Sequence, residues 1–455
     1  MSPRSLPIVA IVGRPNVGKS TLFNRYAGSR RALVDDTPGL TRDRIVEEVE
    51  VAGRRVLVVD TAGLDPDAEA GLPAAVQAQA QAAVAVADAV ILVVDGKAGL
   101  LPEDERLARE LRRTDKPVAL AVNKIDHPRH RERTAEFHAL GCEPMEAVSA
   151  AHGIHVWDLL EALVERLPAE PEGPGAAEDE AQGAIRLAVV GRPNVGKSSL
   201  VNRLLGEERV VVAEEPGTTR DAVDSRLVHE GHAYVLVDTA GLRRPGRRAS
   251  VAERGGALMA VRSIERADVA LVLIDACEGP TDQDARVAGL VRERKRPAVL
   301  LANKWDRVGG ETGPDPERVL AEIGRKLRFL ADAPLLTVSA RSGLHVDRIF
   351  PLVRRLHEAA QRRIATAELN RWLEEATARH QPALGQRGAR RRPIRFFYAT
   401  QTGAAPPTFI LFCTDPAAVR ESYRRYLENS LREAFGLEGV PLRLRLRARR
   451  ARGAA

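Results

Sequence analysis

The octapeptide GRPNVGKS occupies residues 13–20 and is repeated without change at residues 191–198, an offset of 178. Each copy follows an apolar run and precedes a segment with helical periodicity. The pattern G-x-x-x-x-G-K-S between a strand and a helix is typical of a loop that surrounds phosphate groups with backbone N–H groups. We therefore expect Lys19 and Lys197 to reach the β- and γ-phosphates of a nucleotide.

Four further motifs recur at offsets of 178 to 190 residues. They are PGLTRD and PGTTRD (38–43 and 216–221), DTAG (60–63 and 238–241), NKxD (123–126 and 303–306) and Ser-Ala (149–150 and 339–340). A repeat of this length corresponds to a whole domain and not to a solenoid unit. The growing offset indicates small insertions in surface loops of the second copy.

Within each copy, short apolar runs alternate with helical stretches. Residues 56–60, 89–95 and 118–123 predict buried parallel strands, and residues 101–112 predict a helix between two of them. This alternation favours two α/β domains in tandem, each with a doubly wound, mostly parallel sheet.

The repeated hydroxyl and carboxylate residues predict a magnesium site in each copy, because Mg²⁺ prefers oxygen ligands. The predicted ligands are Ser20, Thr41 and Asp60 in the first copy and Ser198, Thr219 and Asp238 in the second. Thr41 and Thr219 lie in polar loops suited to close on the γ-phosphate, although a Thr after Pro-Gly is also an ordinary turn residue. The backbone N–H groups of Gly63 and Gly241 are expected to contact the same phosphate. With Lys19 and Lys197, these four residues form the predicted catalytic set.

The NKxD motif indicates which base is bound. A carboxylate at Asp126 or Asp306 can accept hydrogen bonds from both N1–H and the 2-amino group of guanine, a donor pair that adenine lacks. The remaining predicted nucleotide contacts are Gly13, Asn16, Val17, Gly18, Thr21, Asn123, Lys124, Ser149 and Ala150 in the first copy and Gly191, Asn194, Val195, Gly196, Ser199, Asn303, Lys304, Ser339 and Ala340 in the second. The sequence thus predicts two sites for GTP or GDP with Mg²⁺.

The C-terminal part differs from the repeats in composition. From residue 354 to 455 the chain has 21 Arg, no Lys and nine acidic residues, so this part carries +12 and the preceding part −5 of the net charge of +7. Such a basic part suggests contact with nucleic acid, or only an arginine-rich solvated surface. We predict a helical stretch at 346–377, strands at 394–398, 408–413 and 440–446, and a helix at 416–435, an α+β arrangement.

The predicted domain organisation follows from these patterns and from a segment with three Pro, five acidic and no basic residues. The expected parts are a first GTPase domain (1–167), an acidic linker (168–184), a second GTPase domain (185–355), a third domain (356–447) and a basic tail (448–455). No uncharged apolar stretch of about 20 residues occurs, so a membrane span is not expected. Cys142, Cys277 and Cys413 are far apart, which favours reduced thiols in a cytoplasmic protein.

Both copies resemble the translation-factor-like GTPases over their full length. Where the Ras-like members of that class place a water-orienting Gln after DTAG, this chain has Leu64 and Leu242. The resemblance is therefore to the subgroup with a hydrophobic residue at this position, in which an Asn of the phosphate loop often helps to hold K⁺. Asn16 and Asn194 occupy that position, where Asn is also good turn chemistry.

The whole chain closely resembles the Der (EngA) family of bacterial ribosome-assembly GTPases. The marks are the doubled GRPNVGKS, the second-copy NKWD, Thr400-Gln401 before PPTF (406–409), and the segment 423–432. The resemblance implies a KH-like third domain, GTP hydrolysis, and action on the large ribosomal subunit and its RNA; we expect a monomer. Two alternatives stay open: the GTPase component of an RNA-modifying enzyme, and a regulatory nucleotide-binding module with one inactive site.

Overall fold

The structure, a computed structural model, describes residues 6–28, 46–61, 84, 86–168, 183–206, 224–239, 256–309, 313–382, 385–387 and 390–448. Six residues singled out from the sequence lie outside the described residues: Thr41, Gly63, Leu64, Thr219, Gly241 and Leu242. The described residues form two compact units. One contains the first copy and residues 256–265, and the other contains the rest of the second copy and the third domain.

The first copy is an α/β domain around a six-stranded sheet. Its strands are β1 (Ile8–Val12), β2 (Val46–Val51), β3 (Arg54–Asp60), β4 (Ala89–Asp95), β5 (Val118–Asn123) and β6 (Met145–Ala147), and its helices are α1 (Lys19–Ala27), α2 (Pro102–Leu111) and α3 (Val156–Glu165). The strand order is β2-β3-β1-β4-β5-β6, and only β2 runs antiparallel to its neighbour. The predicted strands and the helix at 101–112 are therefore confirmed.

The second copy repeats this architecture strand for strand. Its elements are β7 (Ile185–Val190), α4 (Lys197–Leu205), β8 (Ser225–His229), β9 (His232–Leu236), α5 (Gly256–Arg266), β10 (Val269–Asp275), α6 (Asp282–Glu293), β11 (Ala298–Asn303), α7 (Pro316–Lys326), β12 (Leu335–Thr337) and α8 (Ile349–Gln361). The order β8-β9-β7-β10-β11-β12 matches that of the first copy.

The central strands explain where the sites lie. β4 and β10 are apolar up to a final aspartate, and β5 and β11 are apolar up to a final asparagine. An apolar run on both faces suits a parallel strand covered by helices on both sides. Because these neighbouring strands are parallel, their polar carboxyl ends meet at one edge of each sheet, which is where such folds bind ligands.

The third domain is the predicted α+β arrangement. It comprises α9 (Thr366–Arg379), β13 (Gly385–Arg387), β14 (Arg390–Arg392), β15 (Phe396–Gly403), β16 (Thr408–Cys413), α10 (Glu421–Phe435) and β17 (Arg443–Ala448). β15 and β16 are antiparallel, and β16 and β17 are parallel. Its core is continuous with that of the second copy, through Leu356, Trp372 and Leu427 among others.

Two helix predictions in this part were wrong in detail. The stretch 346–377 is divided into α8 and α9, because the side chain of Gln401 accepts the backbone N–H of Ile364 at 2.8 Å and so replaces a helical hydrogen bond. The helix predicted from residue 416 begins at Glu421, after a short 3₁₀ turn at Pro416–Ala418. Nowhere in the described part of the chain is there a helix long and apolar enough to cross a membrane.

Candidate nucleotide-binding sites

The loop GRPNVGKS joins β1 to α1, and its repeat joins β7 to α4. Gly18 and Gly196 cap these helices with φ of 100° and 101°, a conformation that L-residues with a side chain rarely adopt. A Cβ at either glycine would lie 2.3 Å from the amide nitrogen of Asn123 or Asn303. Glycine is therefore required here, and it brings the first N–H groups of each helix to the loop, where they favour an anion.

The lysine that follows each glycine folds back over the loop. Lys19 Nζ donates to the carbonyl oxygen of Arg14 at 2.8 Å, and Lys197 Nζ donates to those of Gly191 and Arg192 at 2.9 and 2.7 Å. Lys19 is almost fully buried. Each ammonium group therefore lies inside the loop that is predicted to hold the phosphates.

The arginine of each loop is fixed by a buried aspartate that the sequence analysis did not identify. Arg14 Nε lies 2.7 Å from Asp104 Oδ1, and Arg192 Nε lies 3.2 Å from Asp284 Oδ2. Both aspartates stand in the first turn of a helix, α2 or α6, where an acidic residue also interacts favourably with the helix dipole. The signal was present in the repeat, since the two residues are 180 positions apart.

Each NKxD asparagine joins the phosphate loop to the Ser-Ala segment. Asn123 donates to the carbonyl oxygen of Val17 at 2.8 Å and accepts the N–H of Ala150 at 3.0 Å. Asn303 makes the equivalent bonds to Val195 and Ala340 at 2.7 and 2.9 Å. Both side chains are buried, and the two hydrogen bonds of each hold three segments together: the phosphate loop, the NKxD motif and the Ser-Ala segment. We call these three joined segments the frame of a site.

The lysine of NKxD is held by a second aspartate that the sequence analysis missed. Lys124 Nζ donates to Asp95 Oδ2 at 2.6 Å and to the carbonyl oxygen of Asn16 at 2.8 Å, and Lys304 Nζ lies 2.5 Å from Asp275 Oδ2. Burial raises the pKa of Asp95, but the hydrogen bonds it accepts outweigh this effect and its pKa is lowered below the ordinary value. These aspartates end β4 and β10, a duplicated position that the repeat itself could have revealed.

Asp126 lies at the open side of the first frame. Its oxygens accept from Lys97 Nζ at 2.6 Å and from Ser149 Oγ at 2.8 Å, and these two hydrogen bonds lower its pKa. The carboxylate is therefore ionised and oriented, as an acceptor for two guanine N–H groups must be. In the second copy, Cys277 stands at the position of Lys97, so the surroundings of Asp306 carry one ammonium group less.

Four of the predicted magnesium ligands are described by the structure, and all four are oxygen donors near the carboxyl ends of the parallel strands. Ser20 and Ser198 are exposed in the first turns of α1 and α4, whereas Asp60 and Asp238 are buried. Among the described residues, no group of three His, Cys, Asp or Glu side chains forms a metal site of its own. Such sparse hard donors fit Mg²⁺, which is usually held by one or two carboxylates together with substrate phosphates and water.

Most of the remaining predicted nucleotide contacts are either buried residues or exposed residues. Val17, Val195, Ser149, Ser339, Ala150 and Ala340 are buried, and Asn16, Asn194, Thr21 and Ser199 are exposed. Asn16 and Asn194 have φ of 64° and 63°, a left-handed backbone conformation that Asn tolerates. Their amides are thus at the mouth of each loop, accessible to a ligand.

Known families match all three parts of the chain. Residues 8–124 and 186–304 match the family described as "50S ribosome-binding GTPase". Residues 363–447 match the family described as "KH-domain-like of EngA bacterial GTPase enzymes, C-terminal". The KH-like character of the third domain is therefore confirmed.

Similar proteins span nearly the whole length. The GTPase Der of Moorella thermoacetica is 46% identical over 450 residues, covering 98% of this chain and 99% of that protein. The GTPase Der of Syntrophobacter fumaroxidans is 47% identical over 451 residues, with the same coverage. Two repeated G domains, the KH-like third domain and this end-to-end similarity lead to one conclusion: the chain belongs to the GTPase Der (EngA) family of GTP-hydrolysing enzymes.

Proposed function

We propose that the chain is a GTP-driven factor in the assembly of the large ribosomal subunit, in which each copy binds GTP with Mg²⁺ and changes conformation on hydrolysis. The observation that carries the proposal is that the same loop, its lysine, the asparagine bridge and the NKxD aspartate stand in both copies. The match of both copies to a 50S ribosome-binding GTPase family supports the partner. A ribosomal partner also implies that the chain acts in the cytoplasm.

Leu64 and Leu242 cannot orient the attacking water by hydrogen bonding, so we infer that hydrolysis depends on stabilisation of the transition state by a cation at the phosphates. We propose that the exposed amides of Asn16 and Asn194 help to hold K⁺ at the phosphates, where it stabilises the charge that develops in the transition state. The residues that bind the ion and the residues that recognise the base are then separate, so the two functions can be tested independently.

Turnover of GTP is expected to be at least about tenfold faster in K⁺ than in Na⁺, and faster again when large ribosomal subunits are added. Asn16→Ala and Asn194→Ala should each remove the K⁺ effect from one site, and the double variant should remove it entirely. Release of phosphate at matched ionic strength measures all of these. Affinity for GDP should change less than the rate of hydrolysis, since neither amide is predicted to contact the base.

Lys97→Ala is the matched control. Lys97 donates a hydrogen bond to Asp126 on the predicted base side of the first site, so this change should leave the ratio of the rates in K⁺ and Na⁺ unchanged. If the rate is the same in both salts, the amides do not hold a catalytic ion. If added subunits leave the rate unchanged while K⁺ raises it, the ribosomal partner is wrong and the ion mechanism stands.

The sheet of the KH-like domain presents a basic and aromatic surface. β17 alternates leucines with arginines: Leu444 is buried and Leu446 is partly buried, whereas Arg445 and Arg447 are exposed. Arg447 is in register with Phe412 on β16, which is in register with Tyr398 on β15, and these two rings stack at 4.3 Å. Tyr398 is 42% exposed. This surface suits single-stranded RNA. The arginines can neutralise its phosphates, and its bases can stack on the exposed aromatic ring.

Replacing both Arg445 and Arg447 by Ala is expected to weaken RNA binding at about 0.1 M salt and to lower the slope of log Kd against log salt by about 1.4 units, or about 0.7 per lost phosphate contact on a single strand. Binding of a labelled single-stranded ribosomal RNA fragment over a range of KCl concentrations gives both values. The double variant Arg379→Ala/Arg425→Ala removes two exposed arginines from α9 and α10 and should leave the slope unchanged. Equal effects of the two pairs would mean that the sheet is not the RNA surface.

A further inference from the structure

Arg266, the last residue of α5, holds the predicted magnesium ligand of the second site. Its Nη1 lies 3.0 Å from Asp238 Oδ1 and its Nη2 lies 2.7 Å from Asp224 Oδ2. All three side chains are at least four-fifths buried. One guanidinium group therefore joins two carboxylates in a poorly solvated place, where charge-assisted hydrogen bonds are strong.

The backbone around Asp238 differs from its counterpart in the first copy. Asp60 ends β3 in register with Ile11 on the central strand, and Thr61 Oγ1 donates to the carbonyl oxygen of Ile11 at 2.7 Å. In the second copy, the pairing of β7 with β9 ends at Leu187 and Leu236, two residues before Asp238.

Asp238 is instead directed towards the edge of the sheet. Its φ is 56°, and its N–H donates to Asp224 Oδ1 at 3.0 Å. Thr239 Oγ1 is hydrogen-bonded to Ser225 Oγ on β8 at 2.7 Å, and not to the central strand. The same two residue types, Asp and Thr, are thus attached to the central strand in one copy and to the edge strand and its preceding residue in the other.

The two residues that make this attachment, Asp224 and Arg266, are not repeated in the first copy. In the first copy, Val46 corresponds to Asp224 at the offset of 178, and Val86 corresponds to Arg266 at the offset of 180. Neither valine can hold a carboxylate. The difference between the two aspartates follows from these two positions in the sequence, although the DTAG motif itself is identical.

We propose that Arg266 is a positioning residue that holds Asp238 away from its magnesium-binding position, so that the second site takes up magnesium and nucleotide only when Arg266 releases this carboxylate. The hydrogen bonds from Arg266 to Oδ1 of Asp238 and from the N–H of Asp238 to Asp224 fix the orientation of this carboxylate, so magnesium binding in another orientation must break them. In the first copy, valines stand at the positions of Arg266 and Asp224, so this pair does not restrain Asp60. The inference rests on the proposed role of Asp238 as a magnesium ligand.

The fraction of nucleotide retained, measured as a function of magnesium concentration, tests this inference without relying on turnover. In the full chain carrying Asp126→Asn, which removes the guanine-recognising carboxylate of the first site, a fluorescent GDP reports the second site alone. Arg266→Gln is expected to lower the magnesium concentration for half-maximal retention by about tenfold, the scale of one charge-assisted hydrogen bond. Arg266→Lys keeps the charge but not the two-pronged geometry, and should give an intermediate value; it also serves as the test variant if Arg266→Gln does not fold.

Two controls separate the possible failures. Asp238→Asn in the same background should raise the magnesium requirement strongly; if it does not, Asp238 is not a magnesium ligand and the proposed site is wrong. If Asp238→Asn has its effect while Arg266→Gln leaves the requirement unchanged or raises it, Arg266 does not restrain Asp238 and only this inference is overturned. In the reciprocal background, Asp306→Asn, adding Arg266→Gln should leave the magnesium requirement of the first site unchanged; a change there would mean that Arg266 does not act on Asp238 alone.

Discussion

A chain carrying Asp126→Asn is expected to bind one guanine nucleotide instead of two, and Asp306→Asn should do the same at the other site. The carboxamide replaces an acceptor oxygen by an N–H₂ group, which faces the donor edge of guanine and leaves its N–H groups unpaired. A mismatch of this kind in a site built for hydrogen bonding costs about 10²- to 10⁴-fold in affinity. Calorimetric titration with GDP in Mg²⁺ measures the number of sites and each Kd.

Xanthine nucleotides are the control for this prediction, because xanthine has an oxygen where guanine has its 2-amino group. Asp126→Asn should recover binding with XDP at the altered site, and this recovery shows that the loop is intact. A wild-type chain that binds only one GDP would support the regulatory module with an inactive site. Two GDP in both single variants would mean that these aspartates do not recognise the base.

Replacing Gly18 by Ala is expected to destroy the first site and to destabilise its domain by about 3 kcal/mol or more. The new Cβ would lie 2.3 Å from the amide nitrogen of Asn123, which must then release Val17 or Ala150. Strain at a φ of 100° adds about 1–2 kcal/mol to the loss of these buried hydrogen bonds. Thermal unfolding gives the stability, and nucleotide titration should show that only the second site remains.

Gly53→Ala is the matched control for Gly18→Ala. Gly53 also has a positive φ, of 72°, but a Cβ there meets nothing within 4 Å. This change should cost only the backbone strain, about 1 kcal/mol, and leave both sites functional. If the two variants behave alike, backbone strain alone accounts for the loss, and contact with Asn123 has no part in it.

The repeated motifs were sufficient to predict much of the fold of each copy. The doubled motifs predicted both sheets, the loops at their carboxyl edges and the residues at each loop, because local chemistry and strand order determine these together. Asp104 and Asp95 were missed although they repeat as well, since an acidic residue in a helix N-terminus or at a strand end has ordinary local explanations. Only the folded chain shows that they hold Arg14 and Lys124.

The motif patterns could not predict the structural differences between the two copies. The DTAG motif is identical in both, yet Asp238 takes its position from Arg266 and Asp224, which are 28 and 14 residues away. The division between α8 and α9 has a similar origin, because the hydrogen bond from Ile364 to Gln401 joins residues 37 positions apart. Tertiary contacts of this kind override helical periodicity, and no local window of sequence contains them.

The asparagine bridges have an evolutionary consequence. Asn123 and Asn303 each fasten three separate segments, so a substitution in any one segment must suit the other two. The motifs joined by each asparagine are alike in the two copies, whereas positions outside them differ. Lys97 and Cys277, or Val86 and Arg266, are such positions. The two copies could therefore acquire different ligand affinities and rates while keeping the same reaction.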